Sequence, residues 1–321
     1  MAKLSPFGDA VAGSAGAAFA NTLVYPLDVI KTRLQVQTKH MAHLASHQQY
    51  NSAWDAFWKI VEQEGISGLY VGLTGGIFGT VAQNFAYFYW YSLIRGSYQK
   101  KNPGPLGTFT ELALGAIAGA FSQLFTLPIA VVNTRQQTAS KKEKRTFFQT
   151  MREVVREDGY QGLWKGLTPS LILTVNPAIT YGVFERLKTY LLTTRPRAGN
   201  ALGSGEIFLI GAISKTLATV VTFPYILAKV KLQWKPSKEL LESSTKEQIE
   251  KLRYKSSLDV LRKVYESDGI TGWYKGMKAQ IYKAVLNQAI LFVTKEQFTL
   301  YILALFQLIS KLQANAKQVK A

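Results

Sequence analysis

Two lysines stand where lysines are costly. Ile207 to Ala228 carries no charge but Lys215, and Ile281 to Phe292 none but Lys283. An ammonium group at the centre of a membrane span costs about 2.5–3.5 kcal/mol on insertion scales, so it faces a water-filled path or a partner rather than lipid. No acid is near Lys215 in sequence, and none lies within the run that holds Lys283. Two such groups suit the oxygens of a phosphate, which they can bind by charge-assisted hydrogen bonds and release when the site opens. The plainer readings are that Lys283 snorkels to an interface, or that Asp28 neutralises Lys215. Three histidines, His40, His43 and His47, share one polar stretch. They could form a metal site on one helical face, but a solvated loop is the better reading, and no metal or cofactor is expected. The chain has no cysteine, which excludes disulfides, thiolate metal sites and a cysteine nucleophile. It also lacks a Gly-Lys phosphate loop of the Walker kind.

These lysines must be positioned by long apolar elements. Besides the two runs above, Phe7 to Val24 carries only Asp9, and Thr74 to Ile94, Leu112 to Thr134 and Leu167 to Phe184 are uncharged. With its flanks, each can supply the roughly 20 residues that cross a bilayer core. The mean hydropathy of +0.02 hides this segregation. The net charge is +18 over 321 residues, which suits an anionic lipid surface, an anionic substrate or a nucleic acid. The uncharged runs argue against the nucleic-acid partner. Met1 to Pro6 has neither a secretory signal nor an Arg-rich transit pattern, so targeting information is expected internally.

The elements repeat. Pro26-Leu27-Asp28-Val29-Ile30-Lys31-Thr32-Arg33-Leu34-Gln35 returns in frame at Pro128 and at Pro224, with Arg or Lys at Pro+7 and Gln at Pro+9 each time. Small residues recur at Pro−13 and Pro−9 (Gly13 and Ala17, Gly115 and Gly119, then Gly211 with Lys215 breaking the series), a spacing that lets helices approach closely in lipid. Each proline should bend its helix. A glycine unit follows in every repeat: Gly65, Gly68 and Gly72; Gly159, Gly162 and Gly166; Gly269, Gly272 and Gly276. Before it, Trp54, Phe57 and Val61, then Phe148, Met151 and Val155, then Leu258, Leu261 and Tyr265 predict a short helix whose one apolar face lies on the membrane. Glu64, Glu157 with Asp158, and Glu266 with Asp268 could pair with the Pro+7 bases. Lys141 to Arg145 and Lys235 to Lys255 read as basic, solvated loops.

A proline frame repeated three times, each followed by an amphipathic helix and a Gly-rich turn, resembles the mitochondrial carrier family. The family's Pro-x-acid-x-x-base frame survives whole only in Pro26-Leu27-Asp28-Val29-Ile30-Lys31. The resemblance implies an all-α membrane protein of six transmembrane helices, in three pseudosymmetric two-helix repeats with short amphipathic surface helices. It also implies alternating access through a central cavity, with both termini on the cytosolic side. Repeats are placed at 1–101, 102–197 and 198–312, with a polar tail at 313–321. Pro128-Ile129-Ala130-Val131-Val132-Asn133-Thr134-Arg135, Asn176-Pro177-Ala178-Ile179 and Lys215 are similar to the peroxisomal adenine nucleotide carriers. That implies exchange of ATP against AMP or ADP across the peroxisomal membrane, without enzymatic chemistry. Coenzyme A, NAD or FAD as cargo, and the mitochondrial inner membrane as location, are the alternatives. A functional monomer in a bilayer of anionic lipids is expected.

Residue roles follow from the same resemblance. Inner-gate acids at Pro+2 meet bases at Pro+5 of the next repeat, so Asp28 should face Asn133, Ala130 should face Lys229, and Ile226 should face Lys31. No full ionic pair survives in that ring; Asp28 and Asn133 could share a hydrogen bond, with Gln35, Gln137 and Gln233 as braces. For the outer gate the expected pairs are Arg95 with Glu185 and Lys188 with Glu296. Nine residues before Ser92, Glu185 and Glu296 lie Gln83, Asn176 and Asn287. These amides should face the axis and could read a base edge or ribose. Ile172 and Leu173 would form an apolar wall and Tyr87 a stacking surface, unless all three are ordinary interhelix packing. Lys215 and Lys283 would take the phosphates.

Overall fold

The computed structural model describes residues 6–37, 49–139, 143, 145–194, 202–287 and 290. Among them every regular element is helical. The first repeat contains α1 (Pro6–Val36), α2 (Ala53–Glu64) and α3 (Leu73–Lys101). The second contains α4 (Thr108–Thr138), α5 (Phe147–Asp158), α6 (Leu167–Leu173) and α7 (Asn176–Thr194). The third contains α8 (Ser204–Gln233), α9 (Lys238–Ser243), α10 (Lys246–Leu252), α11 (Ser257–Gly272) and α12 (277–287). This is the expected three-repeat, all-α architecture, with the sixth expected span described over 277–287.

Thr108–Thr138, Tyr160–Thr194 and Gly205–Gln233 are each long and apolar enough to cross a membrane; Ile66–Lys101 qualifies only jointly with α2, from which it bends by 116°. Large apolar side chains such as Phe85, Phe88, Phe125, Leu209 and Val221 stand exposed, while Ser122, Thr126, Asn176, Ser214 and Thr222 are buried. That reverses the distribution of a water-soluble core and fits hydrocarbon as the outer solvent. Pro26, Pro128 and Pro224 lie inside α1, α4 and α8, and these three helices touch one another. The expected fourth span is interrupted. α6 ends at Leu173 and α7 begins at Asn176, because Pro177 offers no backbone donor to the preceding turn.

The surface helices also have an inward edge in each repeat. Ala56 and Ile60, Thr150 and Val154, and Val260 and Val264 are buried against the bundle. Trp54, Phe148 and Leu258, placed by sequence on the membrane face, stand exposed on the protein surface. The helix sits between protein and lipid, so it has two contact edges, and periodicity alone does not separate them. Ser52 and Ser256 cap α2 and α11 by accepting from Asp55 N and Asp259 N, satisfying one free donor at each start.

Lys235 to Lys255 is likewise not a plain loop. It folds into α9 and α10, and Leu240 and Leu252 join Trp234 and Val36 in an apolar cluster that ties the end of α8 to the end of α1.

Candidate functional site

Beyond their prolines, α1, α4 and α8 are closed together by hydrogen bonds at all three junctions. Between the first two repeats, Thr32 Oγ1 donates to Gln137 Oε1 at 2.9 Å and Arg33 Nε to Gln137 O at 3.0 Å. Between the second and third, Thr134 Oγ1 donates to Gln233 Oε1 at 2.9 Å. Between the third and first, Lys231 Nζ donates to Val36 O at 3.1 Å. Each glycine unit seats on the next repeat. A Cβ at Gly166 would meet Lys229 O at 3.3 Å; one at Gly276 would meet Gln35 Cγ at 2.9 Å and Lys31 O at 3.2 Å. Their φ values of +85° and +81° strain any side chain besides.

Of the three braces, Gln137 and Gln233 make bonds across repeats. Both amide atoms of Gln35 are buried without a hydrogen-bond partner among the described residues. The acids before the glycines pair with the Pro+7 bases in two repeats. Arg33 forks onto Glu64 at 2.5 and 3.1 Å, and Arg135 binds Asp158 with Glu157 at 3.5 Å. In the third repeat Lys231 takes the Val36 carbonyl, and Lys275 lies 3.2 Å from Asp268.

The gate acid is placed differently from expectation. Asp28 does not bond Asn133; its carboxylate sits between Lys31 at 2.6 Å and Lys283 at 2.6 Å. Asn133 Oδ1 instead lies 3.4 Å from the Tyr25 hydroxyl, which donates to Val71 O at 3.0 Å. Asp28 therefore neutralises Lys283, not Lys215, and Lys283 is not a free ammonium. It still faces the interior, lining a cavity of about 480 Å³ with Asp28, Lys31 and Lys229. Lys215 meets no carboxylate among the described residues. Its Nζ donates to Asn176 Oδ1 at 2.9 Å, and it lines a space of about 670 Å³ between α7, α8 and α12.

The amides are at equivalent depth but are not free to read a base. Gln83 donates to Ser122 Oγ at 2.9 Å and accepts from Thr126 Oγ1 at 2.7 Å. Asn176 donates to Thr222 Oγ1 at 2.7 Å. Thr126 and Thr222 each stand two residues before a frame proline, so these bonds are the same interhelix tie made twice. Asn287 lines the Lys215 space, and its Oδ1 has no hydrogen-bond partner among the described residues. A further cavity of about 420 Å³ is lined by Tyr87, Tyr91, Leu173 and Lys229, with the two tyrosine rings stacked at 5.9 Å. Leu173 reaches both this cavity and the 480 Å³ one. Ile172 lines neither and is 39% exposed, since neighbouring residues on a helix point about 100° apart.

At the other end the expected ring pair is not made. Arg95 Nε and Nη2 lie 3.0 and 2.9 Å from Glu111 Oε1, and Tyr91 donates its hydroxyl to the other oxygen of Glu111. Glu185 is 3.6 Å from Lys188 on its own helix. Glu296, the expected partner of Lys188, lies outside the described residues, as do His40, His43 and His47. The inner ring is joined, and among the described residues Arg95 is held away from Glu185 at the other end.

A sequence profile described as "Mitochondrial carrier protein" matches three consecutive stretches, residues 2–102, 104–195 and 200–304. The chain belongs to the mitochondrial carrier family. It is 36% identical over 318 residues to "Mitochondrial substrate carrier family protein Q" of Dictyostelium discoideum, covering 97% of this chain and 94% of that one. It is 35% identical over 311 residues to "Peroxisomal adenine nucleotide transporter 1" of Saccharomyces cerevisiae, covering 90% of each. It is 33% identical over 320 residues to "Peroxisomal nicotinamide adenine dinucleotide carrier" of Arabidopsis thaliana, covering 89% and 93%.

Some residues of this carrier's interior escaped sequence reasoning. Glu111 is the main one. It is the lone acid of a helix whose only other charge is Arg135 in the last turn, and it stands at the start, where an acid also suits the helix dipole. Thr126 and Thr222 could have been found by their matching distance from the frame prolines; Tyr25, one residue before Pro26, has no counterpart in the other repeats to flag it.

Proposed function

We propose that this carrier exchanges adenine nucleotides, ATP against AMP or ADP, across the peroxisomal membrane. Repeats at 1–101, 102–197 and 198–312 alternate between closure at the inner end and closure at the outer end. The single observation that carries the reading is Lys215: an ammonium lining the space between α7, α8 and α12, steadied by a neutral amide and without a carboxylate among the described residues. Such a group calls for an incoming anion. Lys283 is the second phosphate ligand, and it must leave Asp28 to serve. Tyr87 and Leu173 face the base, while Gln83 and Asn176 hold the helices that frame it. Substrate stabilises the state through which both ends exchange, and no bond is made or broken, so the protein is not an enzyme. It works as a monomer in a bilayer containing anionic lipid.

The yeast relative bears the name of an adenine nucleotide transporter and the Arabidopsis one that of a NAD carrier, at similar identity. NAD is therefore the second reading; coenzyme A and FAD share its adenine and phosphates. Uptake of labelled ATP, ADP, AMP, NAD, FAD and coenzyme A by proteoliposomes separates them. Saturable ATP uptake, competed by AMP and ADP, is expected. Preferential uptake of NAD or coenzyme A over ATP overturns the adenine nucleotide reading.

A further inference from the structure

We infer that Lys229 is a ligand for the phosphate nearest the base of the transported nucleotide, and not a base of the inner gate. This rests on the nucleotide reading above. In the proline frame Lys229 is the Pro+5 base of the third repeat, and the position that should supply its acid holds Ala130. Among the described residues Lys229 makes neither a hydrogen bond nor an ion pair, whereas Lys31 and Lys283 share Asp28. An ammonium left unpaired in a protein interior is unfavourable, and its natural relief is a bound anion.

Its location says which anion. Lys229 lines both the 480 Å³ cavity and the 420 Å³ cavity. Gln83 and Leu173 are shared as well, but Gln83 is committed to Ser122 and Thr126 and Leu173 is apolar. Lys229 is thus the charged group at the joint. On one side lie the stacked rings of Tyr87 and Tyr91, a surface for a planar base. On the other side three lysines face one aspartate, leaving an excess of two positive charges. A nucleotide with its base against the tyrosines places its first phosphate at Lys229. Further phosphates extend toward Lys31 and Lys283 and displace Asp28, while Lys215, which lines neither of these cavities, draws the nucleotide in from the space between α7, α8 and α12. Every phosphorylated adenosine touches Lys229, and only the longer ones reach the aspartate.

The test is uptake kinetics of ATP and AMP in proteoliposomes. Lys229→Gln is expected to raise the KM for both substrates tenfold or more, with AMP affected at least as strongly as ATP because ATP keeps Lys31 and Lys283. Ala130→Asp leaves Lys229 in place but captures it. It is expected to raise KM in the same way, and it serves where Lys229→Gln does not reconstitute. A gate base gives the other pattern: KM within twofold of wild type and only the maximal rate changed. That pattern, in a wild type that does take up ATP, overturns the assignment of Lys229 alone. A wild type that takes up no adenine nucleotide overturns the nucleotide reading and this inference together.

Discussion

Asp28→Asn removes the one carboxylate between two ammonium groups. The side chains of Asp28, Lys31 and Lys283 are 16%, 17% and 21% exposed. Removing one partner of a buried ion pair costs about 3–5 kcal/mol because the remaining charge is stranded. Partial exposure and the loss of two contacts at once pull in opposite directions, so about 3 kcal/mol is a fair magnitude. At roughly 2–4 °C per kcal/mol, the unfolding midpoint should fall by about 6–12 °C. The chain has no cysteine but six tryptophans, so intrinsic fluorescence in detergent follows unfolding and thiol dyes do not. The variant also frees Lys283 from the partner that a phosphate must displace. Added ATP should therefore raise the midpoint of Asp28→Asn by more degrees than it raises that of wild type. A variant as stable as wild type, or one that ATP stabilises less, would refute both the pairing and the idea that substrate competes with Asp28.

Four other outcomes are expected. Ile226→Asp, which restores an acid opposite Lys31 and leaves Lys229 untouched, should slow exchange at least fivefold by strengthening the inner closure; unchanged or faster exchange in proteoliposomes counts against a weakened gate. Gly276→Ala should cost about 1–3 kcal/mol, from its positive φ and its contact with Gln35 and Lys31 O, and a midpoint equal to wild type contradicts the close seating. Burial alone would raise the Asp158 pKa, but hydrogen bonds from Lys165 and Arg135 hold it below the usual carboxylate value. Its contribution to stability is thus present above the unfolded pKa of about 3.9 and is lost as pH falls through the lower folded value; Asp158→Asn should flatten that acid limb in a fluorescence titration. Glu111→Gln releases Arg95 toward Glu185 and should shift the balance toward outer closure, read as slower uptake from the outer side; an unchanged rate there removes Glu111 from the cycle.

The repeat was legible because it is written in residues with strong local meaning. Proline at positions 26, 128 and 224 and glycine at 72, 166 and 276 each constrain the backbone, whatever surrounds them. The apolar runs were legible for a similar reason, since hydrocarbon acts on every residue of a span. Pairings were not. Asp28 and Lys283 are on the first and sixth long helices, and nothing local shows that the carboxylate turns to Lys283 rather than to Asn133. The phase of Gln83 and Asn176 was readable, but their orientation toward Ser122, Thr126 and Thr222 depends on how α3 lies on α4 and α7 on α8. The surface helices were legible as elements, but their inward edge was not: Trp54 and Ile60 are both apolar, and only the docked bundle decides which is covered.

Labelled ATP uptake by proteoliposomes loaded with AMP, comparing wild type with Lys215→Ala, bears most directly on the transport reading. Wild type should take up ATP only when internal nucleotide is present. Lys215→Ala should fall to background while its fluorescence unfolding curve still reports a folded protein. Uptake by the alanine variant at the wild-type rate, or uptake by wild type that ignores the internal nucleotide, contradicts exchange through an interior anion site.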